Sequence, residues 1–373
     1  MLAIAWKSLV HDRSRFLAAL VGVAFAAVLA TVQGGLYEGF LYTTSSVITQ
    51  LKGDVWVTAQ GVKVLDNVEP LSAGSRAIVA EHGCVAKVRP LVLGFSWLRT
   101  PDGSRETVRV VGTEGGEPFM PRNMARGLPS DLDGPMRVAV DELDLKRLGI
   151  TGPPIGASLA LMNQRAYVAA IARRARSFTL LPFVFARVDN ARRMTALSDG
   201  QVTAWILDLK SPACTSDVLA TIARHPQLRA FTTEELRSAT QHFWLVMSGA
   251  GAILAFSALM GLLVGGVTVG QTLYAAVRDH EVELATLRAL GAAPWEIASF
   301  VAVQASVLTL LGGLVGVLSA VGIGDLAQRG GLEIIVSPNV VLKSAFVLVC
   351  MALVASVVSV RRALSIDPAR VFR

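Results

Sequence analysis

Charge is missing from long parts of this chain. Residues 16–37, 243–277, 297–324 and 344–360 hold no Asp, Glu, Lys or Arg, although 17% of the 373 residues are charged. The four stretches are 22, 35, 28 and 17 residues long. A hydrocarbon core about 30 Å thick takes about 20 apolar residues of helix, so four such runs exclude a wholly water-soluble protein. Histidine is absent from them too. Proton relays and ion pathways ordinarily need ionisable groups at membrane depth. Only Gln33, Gln271 and Gln304 supply sizeable polar side chains there. A transporter driven by protons or sodium is therefore disfavoured, and the energy for any transport has to come from a partner.

Lysine and cysteine are scarce as well. None of the seven lysines (Lys7, Lys52, Lys63, Lys87, Lys146, Lys210 and Lys343) follows a glycine. A phosphate-cradling loop needs Gly-Lys-Ser/Thr, so that backbone N–H groups, an ammonium and a magnesium-binding hydroxyl converge. These residues contain no such nucleotide site. Cys84, Cys214 and Cys350 form no Cys-x-x-Cys pair and have no histidine at ligand spacing, which leaves metal and redox chemistry without a framework. No Gly-x-Ser-x-Gly run occurs. Ser72, Gly74 and Ser75 lie near His82, but nearness in sequence does not make a triad. Asp141, Glu142 and Asp144, beside Lys146 and Arg147, read as a capped and solvated helix, with metal binding the lesser reading.

What is present is a segregated chain: one apolar stretch, about 200 residues of ordinary polar composition, then three more apolar stretches. The formal charge of +7 could point to nucleic acid, but beside spanning helices it reads as topology. Lys7, Arg13 and Arg15 precede the first span, and Arg361, Arg362, Arg370 and Arg373 follow the last. Both ends are then cytoplasmic, and four crossings satisfy that. A cleaved signal peptide is the rival reading of the first span, but its 22 uncharged residues exceed the usual signal apolar region. Residues 1–15 read as an amphipathic segment along the inner membrane surface.

Between the first two spans, residues 38–242 shift toward a period of two. Val55 and Val57 alternate with Trp56 and Thr58. Pro101-Asp102-Gly103 separates 95–98 from 107–111 as a hairpin turn would, and Asn163-Gln164 suits a second hairpin. Residues 204–209 read as a strand and 216–224 as a helix. The insertion is thus mixed α and β. Cys84 and Cys214 both fall within it, outside the cytoplasm, where a disulfide is open to them.

Thr232 and Glu235 have capping-box spacing, directly before a helical pattern that runs on past Phe243. The 35 uncharged positions of 243–277 would make a helix of about 52 Å, longer than a bilayer needs. Gly261, Gly265, Gly266 and Gly270 give two small-xxx-small spacings, and Gly312 and Gly316 a third. Such spacings permit close helix approach, although glycine is also common in membrane helices generally. Between the second and third spans, residues 278–292 read as a short amphipathic helix capped by Gly291. A soluble motor could grip it.

The run from Arg278 to Ala292, an Arg, then Glu, then an apolar stretch ending in Arg-x-Leu-Gly-Ala, resembles the cytoplasmic loop of FtsX-like permeases in the MacB group of ABC transporters. The basic residues Arg361 and Arg362 followed by Asp367-Pro368 resemble that family's terminal signature. A narrower likeness, to the DevC branch, rests on residues 5–15, 50–57 and 138–142. The resemblance implies an α-helical membrane protein with four transmembrane helices and a MacB-like α+β domain inserted between helices 1 and 2. It places a cytoplasmic coupling loop at 278–296, a short outer loop at 325–343 and a cytoplasmic tail at 361–373. The chain itself would need no cofactor; ATP and Mg would sit on a separate ABC ATPase, two copies of which bind a permease homodimer. Arg278, Glu281, Glu283, Arg288, Leu290 and Gly291 would form the ATPase contact. The DevC likeness adds a HlyD-type adaptor and a TolC-like outer-membrane channel. The expected site is the bacterial inner membrane, with the large domain periplasmic and membrane lipid around the helices. Export of a lipid-like or amphiphilic substrate is one reading; mechanical control of a cell-wall hydrolase and lipoprotein extraction are the others.

Overall fold

The computed structural model describes residues 13–364 except 68, 115–120, 122, 163, 174, 176–178, 180, 280–281, 283–285 and 287–291. The chain divides into two compact units, one formed by Met1–Phe40 with Gly251–Arg373 and the other by Leu41–Ala250.

The second unit is built on a ten-stranded sheet. Its strands are β1 (Val55–Ala59), β2 (Val85–Arg99), β3 (Arg105–Thr113), β4 (Met124–Arg126), β5 (Arg137–Asp141), β6 (Ser158–Leu161), β7 (Gln164–Ala172), β8 (Phe183–Arg187), β9 (Ala204–Leu209) and β10 (Leu228–Thr232). They run in the order β10-β1-β9-β2-β3-β8-β5-β7-β4, with β6 against β2 and β7. β3 with β8 and β5 with β7 are parallel; the other pairs are antiparallel. The alternation in β1 sends its side chains to two covered faces. Trp56 joins Leu91, Leu93 and Phe185, whereas Val55 and Val57 join Trp205, Leu207 and Val218. Short helices supply the cover: α2 (Ser46–Leu51), α3 (Ser75–Ala80), α4 (Val188–Met194) and α5 (Thr215–Ile222).

Turn chemistry sets the β2–β3 register, Arg99 opposite Arg105. Gly103 takes φ +86°, which a glycine adopts without strain. Asp102 Oδ1 accepts from Ser104 N–H (3.1 Å) and from the Thr100 hydroxyl (2.5 Å). Hydrogen bonding, first from the Thr100 hydroxyl and then from Ser104, holds the Asp102 carboxyl below its ordinary value of 3.8.

The buried guanidinium groups Arg89 and Arg109 each meet a carboxylate, although Arg109 Nε has no partner among the described residues. Arg89, 6% exposed, reaches Asp208 through Nε (2.9 Å) and Nη2 (2.7 Å). It also donates to the carbonyls of Leu51 and Lys52, closing the end of α2. Asp66 receives Arg109 and, at 2.6 Å, the indole N–H of Trp244. Cys84 and Cys214 are joined as a disulfide, Cα atoms 6.0 Å apart across 130 residues of sequence. Such a cross-link restricts the unfolded chain more the longer the loop it closes.

The acidic run caps a helix as expected, Asp141 standing at the N-cap of the short 3-10 helix Glu142–Asp144, but it is not the solvated face expected of it. Asp141 is fully buried, accepting from the N–H groups of Leu143 and Ala175, and Asp144 is 1% exposed. Burial of a carboxylate is tolerable where backbone donors replace water.

Helix α6 (Thr233–His242) begins at the capping box: Thr232 Oγ1 accepts from Glu235 N–H (3.1 Å), and Glu235 Oε2 accepts from Thr232 N–H (2.9 Å). The uninterrupted helix expected over 243–277 does not form. Phe243–Met247 is a π-helical turn, Gly249 has φ +78°, and α7 (Ala250–Asp279) starts only then. A left-handed residue ends a right-handed helix.

The first unit contains α1 (Arg13–Thr44, its last turn passing into the other unit), α7, α8 (Pro294–Arg329) and α9 (Pro338–Leu364). Each is long and apolar enough to cross a membrane. All but α7 run past the uncharged stretches at both ends, because charged residues at a span's ends reach the interface without breaking the helix. Val23, Ala26, Ala27, Leu273, Leu308 and Leu348 are among the residues of their common core.

Candidate functional site

In α8, a Cβ at Gly312 would lie 2.8 Å from Val23 Cβ, and one at Gly316 would lie 2.5 Å from Ala24 O. These two glycines bring α8 onto the backbone of α1, as small-xxx-small spacings can. Gly261 and Gly265 make ordinary contact, with Gln33 and with Ala26 and Met351. Gly266 and Gly270, expected to pack, face open space. Gly261 and Gly265 share the stripe of α7 turned to α1, and Gly266 and Gly270, one residue further on, lie on a neighbouring stripe turned away from it.

A contact that sequence reasoning missed lies at the C-terminal end of α1. The segment 331–337 crosses it where Gly35 and Gly39 leave room: Ile335 N–H donates to Gly35 O (3.0 Å). A Cβ at Gly39 would collide with Glu333 O. Ser337 Oγ donates to Glu38 Oε2 (2.6 Å), and Gln328 Nε2 donates to Ile334 O (2.8 Å). The Gly35-xxx-Gly39 spacing was the available signal.

Uncharged polar ties hold α1 to two neighbours. Gln33 Nε2 donates to Ser257 Oγ of α7 (2.9 Å), and Thr31 Oγ1 to Ser344 Oγ of α9 (3.1 Å). Gln271 is exposed. Gln304 is buried, and its amide nitrogen has no partner among the described residues. Between α1, α7 and α9 an open groove of about 540 Å³ is lined by apolar side chains, with Gln33, Glu38, Lys343 and Ser344 as its polar members.

At the opposite end of the bundle, Arg278 is exposed in the last turn of α7. Glu281, Glu283, Arg288, Leu290 and Gly291 lie outside the described residues, as do residues 1–12 of the amphipathic N-terminal segment and residues 365–373 of the tail. Val282 and Thr286 are helical and exposed, with Thr286 Oγ1 donating to Val282 O (2.8 Å). The loop closes at Pro294, where Glu296 Oε2 accepts from Ala293 N–H (2.8 Å) to start α8.

Hydrolytic chemistry is not assembled around Ser75. Its hydroxyl donates to Ser72 O (2.6 Å) and accepts from the Trp205 indole (2.8 Å), while His82 Nδ1 accepts from Cys84 N–H (3.2 Å). Among the described residues no group of three His, Cys, Asp or Glu could hold a metal ion.

Comparison with known proteins gives this architecture a family context. Residues 255–368 match the family described as FtsX-like permease C-terminal. The macrolide export ATP-binding/permease protein MacB of Burkholderia cenocepacia is 24% identical over 345 residues, covering 87% of this chain and 50% of that protein. The MacB protein of Nitrosomonas europaea is 28% identical over 116 residues, 31% of this chain and 18% of that one. This chain thus spans half of the first relative or less of either. Among solved structures, the periplasmic region of MacB from Actinobacillus actinomycetemcomitans aligns with 51% of this chain and 94% of its own (TM-score 0.38, 10% identity). The extracellular domain of the transporter YknZ from Gram-positive bacteria aligns with 48% and 98% (TM-score 0.36, 9% identity). Residues 255–368 are thus similar to the FtsX-like permease C-terminal family, and the chain is similar to MacB over part of that protein's length.

Proposed function

We propose that this FtsX-like permease is the membrane subunit of an ATP-driven ABC exporter. It sits in the bacterial inner membrane with both termini cytoplasmic and the Leu41–Ala250 unit periplasmic. ATP and Mg are bound by an ATPase outside these 373 residues, which hold no Gly-Lys-Ser/Thr run. Two ATPase copies grip a permease homodimer through the loop after α7, and closure of the ATPases drives movement of the periplasmic unit. A HlyD-type adaptor and a TolC-like channel, as in the DevC branch, would carry a lipid-like or amphiphilic cargo onward.

The observation that supports this best is the FtsX-like match over 255–368, which takes in the loop after α7 and the helices on both sides of it. The absence of ionisable groups from the central parts of the spans agrees with it, since an externally powered permease needs no intramembrane proton relay. Glu281, Glu283 and Arg288 are assigned surface ion pairs with the motor, and Gly291 a tight turn.

The test is affinity purification of tagged protein from gently solubilised membranes. Recovery of an ABC ATPase together with a HlyD-like adaptor is the expected result. Glu281→Ala with Arg288→Ala, or Gly291→Val, should lower ATPase recovery while membrane insertion is unchanged. Undiminished ATPase recovery with these variants would refute the assigned contact, and recovery of no ATPase would refute the exporter reading.

A further inference from the structure

The groove between α1, α7 and α9 has a length and a polarity. On α9 its lining runs from Val340 to Met351 and on α7 from Gly251 to Leu262. At 1.5 Å per residue each is about 16 Å, close to half of a hydrocarbon core about 30 Å thick. The groove thus spans one leaflet, at the end of the bundle where 331–337 crosses α1. Its charged members, Glu38 and Lys343, lie toward that end, and the lining beyond them, Ala30, Leu262, Val347 and Met351, is apolar.

The two charges are not equivalent. Glu38 is half-buried and already accepts from Ser337. Lys343 is exposed and makes no ion pair among the described residues. A free ammonium at the headgroup end of an apolar, one-leaflet groove is complementary to an amphiphile with a negative head and a hydrocarbon tail.

We propose that this groove holds one acyl chain of an anionic glycerophospholipid, with its phosphate against Lys343. The lipid is taken from the leaflet at the 331–337 end of the bundle. Gln33 lies in the groove wall and is tied to Ser257, its amide nitrogen donating to the Ser257 hydroxyl and its amide oxygen accepting from it. The inference goes beyond export: it needs the helices to lie in a membrane but no ATPase, so its failure would leave the exporter reading standing.

The experiment is native mass spectrometry of the full chain released from nanodiscs of equal parts phosphatidylglycerol and phosphatidylcholine. The wild type should retain one phosphatidylglycerol in preference to phosphatidylcholine. Lys343→Gln, at an exposed position, should reduce that preference about fivefold, the worth of one basic residue near an anionic surface. Ala258→Trp, which fills the groove from α7, should abolish retention of both lipids. Equal retention of the two lipids by the wild type would overturn the proposal. So would a preference unchanged in Lys343→Gln, or retention of a non-phospholipid amphiphile in their place.

Discussion

The sheet unit and the helical unit hold distant segments together by different chemistry. In the sheet unit, β2 is joined to β9 and to the end of α2 by a guanidinium, Arg89, whose donors meet a carboxylate and two carbonyls. In the helical unit, equally distant segments are joined by Gln33 with Ser257, by Thr31 with Ser344, and by glycines that let backbones touch. In water, burial of the surrounding apolar surface helps to offset the desolvation of such a charge. Between helices in lipid that driving force is absent, and close packing with uncharged hydrogen bonds takes its place.

This contrast predicts unequal costs. Arg89→Met, which removes the donor from the half-buried Asp208 and from the carbonyls of Leu51 and Lys52, should destabilise the sheet unit by about 1.5–3 kcal/mol, the usual worth of hydrogen bonds to a charged group. Denaturant titration of detergent-solubilised protein, read by protease resistance of the sheet unit, would check it. A loss under 1 kcal/mol would place the Arg89 pair with the weak ties of the bundle.

Gly316→Val should cost about 2 kcal/mol, in the range of overpacking, because its Cβ meets the α1 backbone. Gly270→Ala, at the same kind of spacing but facing open space, should instead be neutral or stabilising by up to about 1 kcal/mol from helix propensity. Thermal unfolding of the two variants side by side separates a packed glycine from a merely spaced one. Gln33→Leu should cost only about 0.6 kcal/mol, the average of interhelical hydrogen bonds in membranes. Steric-trap unfolding would measure it.

The smallest effect concerns the β2–β3 turn. The Asp102 carboxyl is held below 3.8, so the unfolded state binds its proton first as pH falls. Its contribution is complete above that value and is lost as pH drops through the lower folded value. Asp102→Asn should therefore flatten the acid limb of the stability profile below about pH 4 while changing little at neutral pH.

The spans were legible because missing charge is a strong signal. The β2–β3 turn and the capping box were legible because Pro-Asp-Gly and Thr-x-x-Glu each impose a local geometry. The late start of α7 was not: Phe243–Met247 is as apolar as the helix that follows it, and apolarity records what leaves water, not where a helix breaks. Asp141 read as solvated because acidic runs usually are; its burial depends on Ala175, 34 residues away. Of the expected ATPase contact only Arg278 falls among the described residues. The 331–337 crossing was signalled only by the Gly35-xxx-Gly39 spacing, which says that something comes close but not what, and its acceptor is a helix carbonyl, a group every residue carries.

That crossing limits how the bundle can move. For α1 to slide by one turn past α8 and α9, the Ile335 to Gly35 bond and the Glu38 to Ser337 bond must break, and Gly39 must leave Glu333. Three helices are thereby keyed against axial translation. Helix α7 is tied near its N-terminal end by Ser257 to Gln33, and only 11% of its apolar window is buried, against 28–33% for the other three. In mechanical terms the bundle is a three-membered frame with one loosely pinned rod, and Arg278 stands at the end of that rod.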